Sequence, residues 1–184
     1  IKGLGCNSLQ YGTGFFVEEN IVVTSAHVVA GVNSPEIFYN GTGFGLDFIS
    51  FDPNSDLAIL RSENFLRKPL RLGEAKKGES GTVVAYVKDG KKIVSEIKIR
   101  EKILAVGKDI FGQPGESREA LSLEAKIESG FSGAPVINSD SEVIGVVFSR
   151  SRGGESTAYA VQSSEVEKIL KEEVDISSST SCIP

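Results

Sequence analysis

The sequence predicts an all-β fold made of two six-stranded antiparallel barrels and a C-terminal helix. Three observations lead to this prediction. Short segments rich in β-branched and aromatic residues recur along the chain, turn residues separate them, and a break divides them into two sets of about six. With 184 residues the chain can bury a substantial core, and a single domain covering residues 1–184 is expected.

The first barrel is predicted over about residues 12–72. It begins with a hairpin, because Gly14–Val17 and Ile21–Thr24 are both β-rich and the polar residues Glu18–Asn20 lie between them. Three further segments continue the pattern, and these are Glu36–Tyr39, Phe44–Phe51 and Leu57–Arg61. A linker near Leu72–Ser80 then separates the two sets.

The second barrel is predicted over about residues 81–162. Its six strands follow one another with turn residues between them: Gly81–Val87, Ile93–Ile99, Leu121–Ile127, Ala134–Ile137, Val143–Phe148 and Ala158–Val161.

One helix is predicted, over residues 164–174. Ser163 and Ser164 can cap its N-terminus, and acidic residues follow in its first turn. Its apolar residues recur at helical spacing, namely Val166, Ile169, Leu170 and Val174. The tail after the helix, residues 175–184, is rich in serine.

Composition excludes several classes of protein. The net charge of −5 argues against a general nucleic-acid binder. Two cysteines and one histidine are too few for the usual four-ligand zinc site. Residues 73–79 lack the Lys-Ser/Thr pair of a phosphate-binding loop, and Gly41–Gly45 has the wrong spacing for a dinucleotide motif. No cofactor and no metal are therefore expected. No run of about 20 apolar residues occurs that could cross a membrane.

The one histidine of the chain, His27, is the natural candidate for acid–base chemistry near neutral pH. Downstream come Asp56 and then Ser132, so a base, a carboxylate that could orient it and a hydroxyl nucleophile occur in that order. Asp52 is the alternative carboxylate, but its place before Pro53 favours a turn.

The order of these three residues excludes two other hydrolase folds, because no histidine follows Ser132 and no aspartate precedes His27. Thr24–His27, Asp56–Leu60 and Gly130–Pro135 resemble the three signature segments of trypsin-like serine proteases. The HtrA proteases are similar, since they also have the sequence Asp-Leu-Ala at the aspartate. The resemblance implies a chymotrypsin-like fold and a polypeptide substrate, with the site in the cleft between the barrels.

A narrower resemblance spans nearly the whole chain. Arg100–Ile137, with Asp109–Gly112 and Glu128–Gly133, is similar to the MarP-type periplasmic proteases of actinobacteria, whose protease domain follows a colicin V production-like membrane region. It implies membrane anchoring only through segments upstream of Ile1, an extracytoplasmic location, and a role in envelope stress or acid resistance. It also implies a disulfide between Cys6 and Cys182, which fits an oxidising compartment.

The resemblance assigns each residue a role. Ser132 attacks the substrate carbonyl, His27 accepts and returns the proton, and Asp56 orients His27. The backbone N–H groups of Gly130 and Ser132 are expected to form the oxyanion hole, and glycine at position 130 permits the backbone orientation this needs.

A substrate pocket follows from the same resemblance. Trypsin-like enzymes that prefer basic side chains carry an aspartate at the pocket base, where this chain has lysine, so specificity for Lys or Arg is not expected. Whether that lysine points into the pocket stays open. The expected substrate-binding residues are Lys126, Ile127, Ser129, Phe148, Ser149 and Arg150.

Phe131 departs from the pattern of zymogen-activated proteases, which carry an aspartate there that pairs with a new N-terminus. Phenylalanine cannot form that ion pair, so Ile1 only resembles an activation terminus, and packing or flexibility must decide the state of the Gly130 loop. The alternative hypothesis is therefore a catalytically silent peptide-binding or stress-sensing module on the same fold. The sequence gives no indication of the oligomeric state.

Overall fold

Two sets of β-strands and one longer helix make up the structure, a computed structural model that describes residues 1–150, 156–172 and 175–184. The first set and the short helix within it are β1 (Lys2–Gly5), β2 (Ser8–Tyr11), β3 (Gly14–Phe16), β4 (Ile21–Ser25), α1 (Ala26–Val29), β5 (Glu36–Tyr39), β6 (Thr42–Gly45), β7 (Asp47–Asp52) and β8 (Leu57–Arg61). The second set is β9 (Arg71–Leu72), β10 (Ser80–Tyr86), β11 (Lys92–Ala105), β12 (Arg118–Glu124), β13 (Pro135–Ile137), β14 (Glu142–Arg150) and β15 (Thr157–Gln162), followed by α2 (Ser163–Lys171) and a 3₁₀ turn (Ser177–Thr180).

The first half consists of two four-stranded sheets, with strand orders β2-β1-β5-β6 and β3-β4-β8-β7. It starts earlier than the predicted bound of about residue 12, because β1 and β2 pair through Lys2↔Tyr11. The predicted strand Phe44–Phe51 is two strands, divided at Leu46. The N–H of Leu46 donates to Pro35 O (2.9 Å), but proline has no N–H to return the bond, and the ladder between β5 and β6 ends there.

The second half is a closed six-stranded barrel. Its order is β13-β10-β11-β12-β15-β14, and β14 pairs with β13 to close the ring, while β9 adds a short parallel strand outside it. The predicted all-β fold is confirmed, with a closed barrel in this half and a C-terminal helix. The interior of the barrel is fully buried and apolar, with Leu121, Leu123, Val136 and Ile144 at 0% exposure.

One apolar cluster contains residues of both halves of the molecule. Leu57 and Ile59 of the first half pack in one buried group with Val143 and Val161 of the second. Helix α2 contributes its apolar face to the same group, which includes Ile169. The halves therefore share a core, and the helix stabilises their relative placement by burying apolar surface against both. The predicted helix residue Val174 lies outside the described residues.

The predicted disulfide between Cys6 and Cys182 is confirmed, with a Cα–Cα distance of 5.7 Å. It ties the chain after the 3₁₀ turn to the segment between β1 and β2. The backbone N–H of Gly31 also donates to Ser179 O (2.6 Å), so the tail packs against the first half. Among the described residues, the structure contains no helix with the length and apolar character needed to cross a membrane.

Candidate active site

Strand register brings His27 and Asp56 together. β4 and β8 are antiparallel neighbours, and Ser25 at the end of β4 pairs with Leu57 at the start of β8. Asp56 lies just before that pair and His27 just after it, so both fall at the same end of the sheet. Asp56 Oδ2 lies 2.7 Å from His27 Nδ1, and Asp56 Oδ1 accepts the backbone N–H of His27 at 2.9 Å.

The backbone of Asp56 reinforces this placement. Its φ of 60° lies in the left-handed region, which non-glycine residues other than Asn and Asp rarely adopt. Its carbonyl accepts the N–H of Ala26 at 3.0 Å. Asp56 is 4% exposed, so the carboxylate is held by both of its oxygens in a site with little water.

Asp52, the alternative carboxylate, has a different function. Its Oδ1 accepts the N–H of Asn54 at 2.9 Å, and its Oδ2 accepts the N–H of Ser55 at 3.1 Å. Both hydrogen bonds stabilise the turn that precedes Asp56. Asp52 therefore makes the turn expected from its place before Pro53.

The electrostatic environment of His27 favours the protonated ring. Burial lowers the pKa of His27, but the negative charge of Asp56 and its hydrogen bond outweigh burial, so the pKa lies above the ordinary value of 6.5. The side chain is still 29% exposed. With Nδ1 turned to Asp56, the other ring nitrogen, Nε2, is the one left for an incoming reactant.

The loop of Ser132 lies against the elements that hold His27. The carbonyl of Ser132 accepts the N–H of Thr13 at 2.8 Å. A Cβ on Gly12 would lie 2.7 Å from Ser132 O and 2.6 Å from a side-chain carbon of Val28, so only glycine allows this close approach. Among the described residues, Ser132 Oγ has no hydrogen bond to His27. The loop of Ser132 therefore packs beside the helix that carries His27.

Gly130 adopts a backbone conformation that favours glycine. Its φ is +100°, and a Cβ there would lie 2.9 Å from Tyr86 O. The N–H of Phe131 donates to Glu128 O (3.2 Å), and the N–H of Gly133 donates to Val147 O (2.8 Å). In the described part of the chain, the N–H groups of Gly130 and Ser132 have no acceptor. These two donors are therefore free for a ligand.

Phe131 anchors the Gly130 loop by apolar packing. Its ring is 1% exposed and belongs to the apolar core of the second barrel, with Ala134 and Val136. Apolar packing thus occupies the position of the aspartate that forms an ion pair in zymogen-activated proteases after cleavage. Apolar burial of a whole phenylalanine ring stabilises the loop by about 1.5–3 kcal/mol relative to exposure.

The expected pocket residues lie at or near the surface of the second barrel. Lys126 and Ser149 are exposed, and Ile127 packs on the barrel core. Phe148 is half-buried, with its ring 6.4 Å from that of Tyr159. Ser129 is exposed and its hydroxyl lies 2.7 Å from the hydroxyl of Tyr11. The backbone of Arg150 ends β14, and its side chain lies outside the described residues.

A cavity beside His27 was not foreseen from the sequence. Its volume is about 380 Å³, and its walls come from the N-terminal strands, α1 and the disulfide-bonded tail: Cys6, Ser8, Leu9, Gln10, Tyr11, His27, Val28 and Ile183. None of the expected pocket residues lines it. The paired cysteines were the one sequence signal that could have placed the tail here.

The described residues contain no group of three or more His, Cys, Asp or Glu side chains that could hold a metal ion. The groups that this part of the molecule offers for catalysis are an imidazole, a carboxylate, a hydroxyl and two free backbone donors.

Comparison with known proteins gives the family. The trypsin-like peptidase domain family matches residues 12–146. The serine protease Rv3671c of Mycobacterium tuberculosis H37Rv is 34% identical over 164 residues, which cover 88% of this chain and 41% of the relative. A probable periplasmic serine endoprotease, DegP-like, from Brucella suis is 31% identical over 170 residues, covering 86% of this chain and 32% of the relative. The chain thus spans less than half the length of these curated relatives.

Solved structures agree with that result. The Rv3671c protease from M. tuberculosis in its active form superposes with a TM-score of 0.92 at 30% identity, covering 100% of this chain and 84% of that one. Its inactive form gives a TM-score of 0.79 at 32% identity, covering 94% and 87%. The HtrA-type protease AlgW, at 18% identity and a TM-score of 0.72, shares the fold over 87% of this chain and 50% of its own. The resemblance to trypsin-like and MarP-type proteases is confirmed.

Proposed function

Because the chain belongs to the trypsin-like peptidase family, we propose that it is a serine endopeptidase that cleaves polypeptides through a His27–Asp56–Ser132 triad. One observation carries the proposal. The only histidine of the chain is held by both oxygens of a buried aspartate, and the loop of Ser132 packs near the helix that carries this histidine.

The reaction divides into two halves. Ser132 Oγ attacks the carbonyl carbon of the substrate while His27 Nε2 takes its proton, and the C–N bond then breaks as His27 returns that proton to the leaving amine. Water then attacks the acyl-enzyme as His27 takes its proton, the bond between the acyl carbon and Ser132 Oγ breaks, and His27 returns the proton to Ser132 Oγ. Asp56 keeps the Nδ1 proton in place and stabilises the imidazolium.

The contact between Ser132 and His27 has to form in the substrate complex. Catalytic hydrogen bonds are often long in free enzymes and shorten when substrate binds. The free N–H groups of Gly130 and Ser132 are the donors proposed for the oxyanion, where each donor can contribute about 3–4 kcal/mol to transition-state stabilisation.

Strand β14 offers an edge for the substrate backbone. Its pairing with β13 covers Val143–Val146, whereas its pairing with β15 continues to Arg150. Among the described residues, β14 beyond Val147 therefore pairs on one side only. An extended peptide can add as a further strand there, which gives affinity through backbone bonds whatever the side chains. Lys126, Ile127, Ser129, Phe148, Ser149 and Arg150 remain the proposed walls of the pocket.

The location proposed for the protein is extracytoplasmic. The Cys6–Cys182 disulfide supports an oxidising compartment. The DegP-like relative from Brucella is named as periplasmic, which supports the same compartment. Anchoring through a membrane region outside residues 1–184, and a role in envelope stress or acid resistance, are part of the proposal.

The direct test is hydrolysis of unfolded protein. Denatured casein incubated with the protein should yield new internal termini, identified by mass spectrometry, and Ser132→Ala should yield none while it keeps the wild-type melting temperature. Peptide binding without cleavage by the folded wild-type protein would favour the silent binding module instead.

A further inference from the structure

We propose that Thr13 is a positioning residue for the oxyanion hole, and that its hydroxyl fixes the peptide between Gly130 and Phe131. This inference rests on the proposed peptidase function of Ser132. Thr13 lies in the first half of the molecule, just before β3, and is 2% exposed. It neither contacts His27 through a hydrogen bond nor belongs to the three signature segments.

Thr13 holds the loop of the second barrel at two carbonyls. Its Oγ1 donates to Gly130 O at 2.8 Å, and its backbone N–H donates to Ser132 O at 2.8 Å. These two carbonyls flank the free N–H group of Ser132 in the chain. One residue from the opposite half of the molecule therefore fixes the backbone on both sides of the nucleophile.

The direction of the Thr13 hydroxyl is determined by its neighbours. The backbone N–H of Tyr86 donates to Thr13 Oγ1 at 2.8 Å, so the oxygen acts as an acceptor there. The single hydroxyl proton is left for a carbonyl, and Gly130 O at 2.8 Å is much closer than Tyr86 O at 3.5 Å. The hydroxyl of Thr13 thus links β10 to the Gly130 loop, because it accepts from Tyr86 and donates to Gly130.

The position of Thr13 is itself fixed. Its carbonyl accepts the hydroxyl of Thr24, which is 0% exposed, at 2.7 Å. Thr24 lies on β4, which leads into the helix that holds His27. The same short stretch of chain therefore connects the loop of the oxyanion hole to the strand of the general base.

Glycine at position 130 makes such a restraint necessary. Glycine adopts positive and negative φ with similar ease, so the +100° seen here is not imposed by the residue. Rotation of the Gly130–Phe131 peptide would redirect the neighbouring N–H groups, and displacements of about 1 Å at a catalytic group can cost about 100-fold in rate. The bond from Thr13 Oγ1 to Gly130 O opposes that rotation.

Thr13→Val tests the role of the hydroxyl, because valine keeps the shape of the side chain and removes its hydrogen bonds. We expect kcat to fall about 10- to 100-fold with KM changed less than about 3-fold. Thr13→Ser, which keeps the hydroxyl, should recover most of the lost kcat. Ser62→Ala is the matched control: Ser62 is also fully buried, its Oγ accepts one backbone N–H from Phe65 (3.1 Å), and it lies outside the site.

A pair of inhibitors separates positioning from general destabilisation. A peptide aldehyde adds to Ser132 Oγ, with the serine proton transferred to the new hemiacetal, and its oxygen occupies the oxyanion hole. The corresponding peptide alcohol binds the same cleft without adding. Thr13→Val should weaken aldehyde binding by the same factor as kcat/KM and leave alcohol binding unchanged, and the midpoint of the acidic limb of kcat/KM should stay at its wild-type pH.

Equal loss of affinity for aldehyde and alcohol, or a kcat loss that Ser62→Ala reproduces at equal melting temperature, would overturn the positioning role. Should Thr13→Val fail to fold, Thr13→Ala provides the same comparison against Thr13→Ser. Absence of turnover in the folded wild-type protein would instead refute the proposed function, so the two failures are distinguishable.

Discussion

Asp56 holds His27 at two points, with Oδ2 2.7 Å from the ring Nδ1 and Oδ1 2.9 Å from the backbone nitrogen. The ring and the helix that carries it are therefore oriented by one carboxylate. The left-handed φ of Asp56 is maintained by the bonds on either side of it. This relationship has direct consequences for mutation and for pH.

Asp56→Asn should lower kcat about 10⁴-fold while the fold persists. An amide that turns its NH₂ toward Nδ1 forces the ring proton onto Nε2, which then cannot accept the proton of Ser132. Steady-state kinetics with circular dichroism would measure both effects. Asp52→Asn is the matched control, because Asp52 caps the adjacent turn, and its kcat should remain within about 10-fold of wild type. A similar kcat for the two variants would contradict the role given to Asp56.

Ser132→Ala and His27→Ala should each lower kcat by several orders of magnitude, and the double variant should lose little more. The reason is that the nucleophile and its base act in one step, so removing either removes the same contribution. Kinetics of the three variants at equal folded fraction provides the measurement. Losses that multiply in the double variant would show that the two residues act independently.

The acidic limb of kcat/KM should have its midpoint above pH 6.5, because the folded state raises the pKa of His27 and catalysis needs the neutral ring. NMR titration of the single imidazole should give the same midpoint. The sign also applies to stability: the contribution of protonated His27 is full below the unfolded pKa of about 6.5 and is lost as pH rises through the folded pKa. A midpoint below 6.5 would contradict this electrostatic account.

The raised pKa of His27 also bears on acid resistance. An enzyme whose base has a raised pKa loses turnover earlier on acidification than one with an ordinary histidine. Any function of this protein in acid would therefore need more enzyme, more accessible substrate or a conformational gain that exceeds the loss of neutral His27.

Cys182→Ser should lower the free energy of unfolding by about 2–5 kcal/mol, since the bond closes a loop spanning 176 residues in sequence. Turnover should weaken as well, because the tail lines the cavity beside His27. Thermal melting and kinetics would measure the two effects. Reductant should shift the melting temperature of wild type but not that of Cys182→Ser. An unchanged wild-type melting temperature after verified reduction would refute the stabilising role.

Phe131→Ala should cost about 3–5 kcal/mol of stability and abolish most active-site labelling, because it removes the packing that holds the Gly130 loop. Phe51→Ala is a matched control, since Phe51 is equally buried in the core of the first half. It should cost a similar free energy and retain labelling in the folded fraction. Equal labelling by the two folded variants would show that Phe131 has no special relation to the loop.

The pattern of short β-rich segments was sufficient to predict most of the strands, and Leu57–Arg61 was predicted with its observed bounds. The N-terminal strands β1 and β2 were missed, because Lys2–Tyr11 contains no β-branched residue and alternation is weak there. β11 is longer than predicted, because the charged and exposed segment Arg100–Lys102 interrupts its apolar pattern.

The candidate site was predictable where chemistry requires a particular residue type. His27, Asp56 and Ser132 stood out by identity and order, and the paired cysteines by their placement. Thr13 did not, because its importance arises from contacts across more than 110 residues of sequence, such as the 117-residue separation from Gly130. The assignment of roles to the triad and of walls to the pocket stays a prediction.

Covalent labelling of Ser132 by a fluorophosphonate tests the central claim most directly. Mass spectrometry of the digested wild-type protein should show one adduct, on the peptide that contains Ser132, and His27→Ala should label at least about 100-fold more slowly because the base that activates the hydroxyl is gone. A folded wild-type protein that takes no label at Ser132, or an equal labelling rate in His27→Ala, would contradict the account.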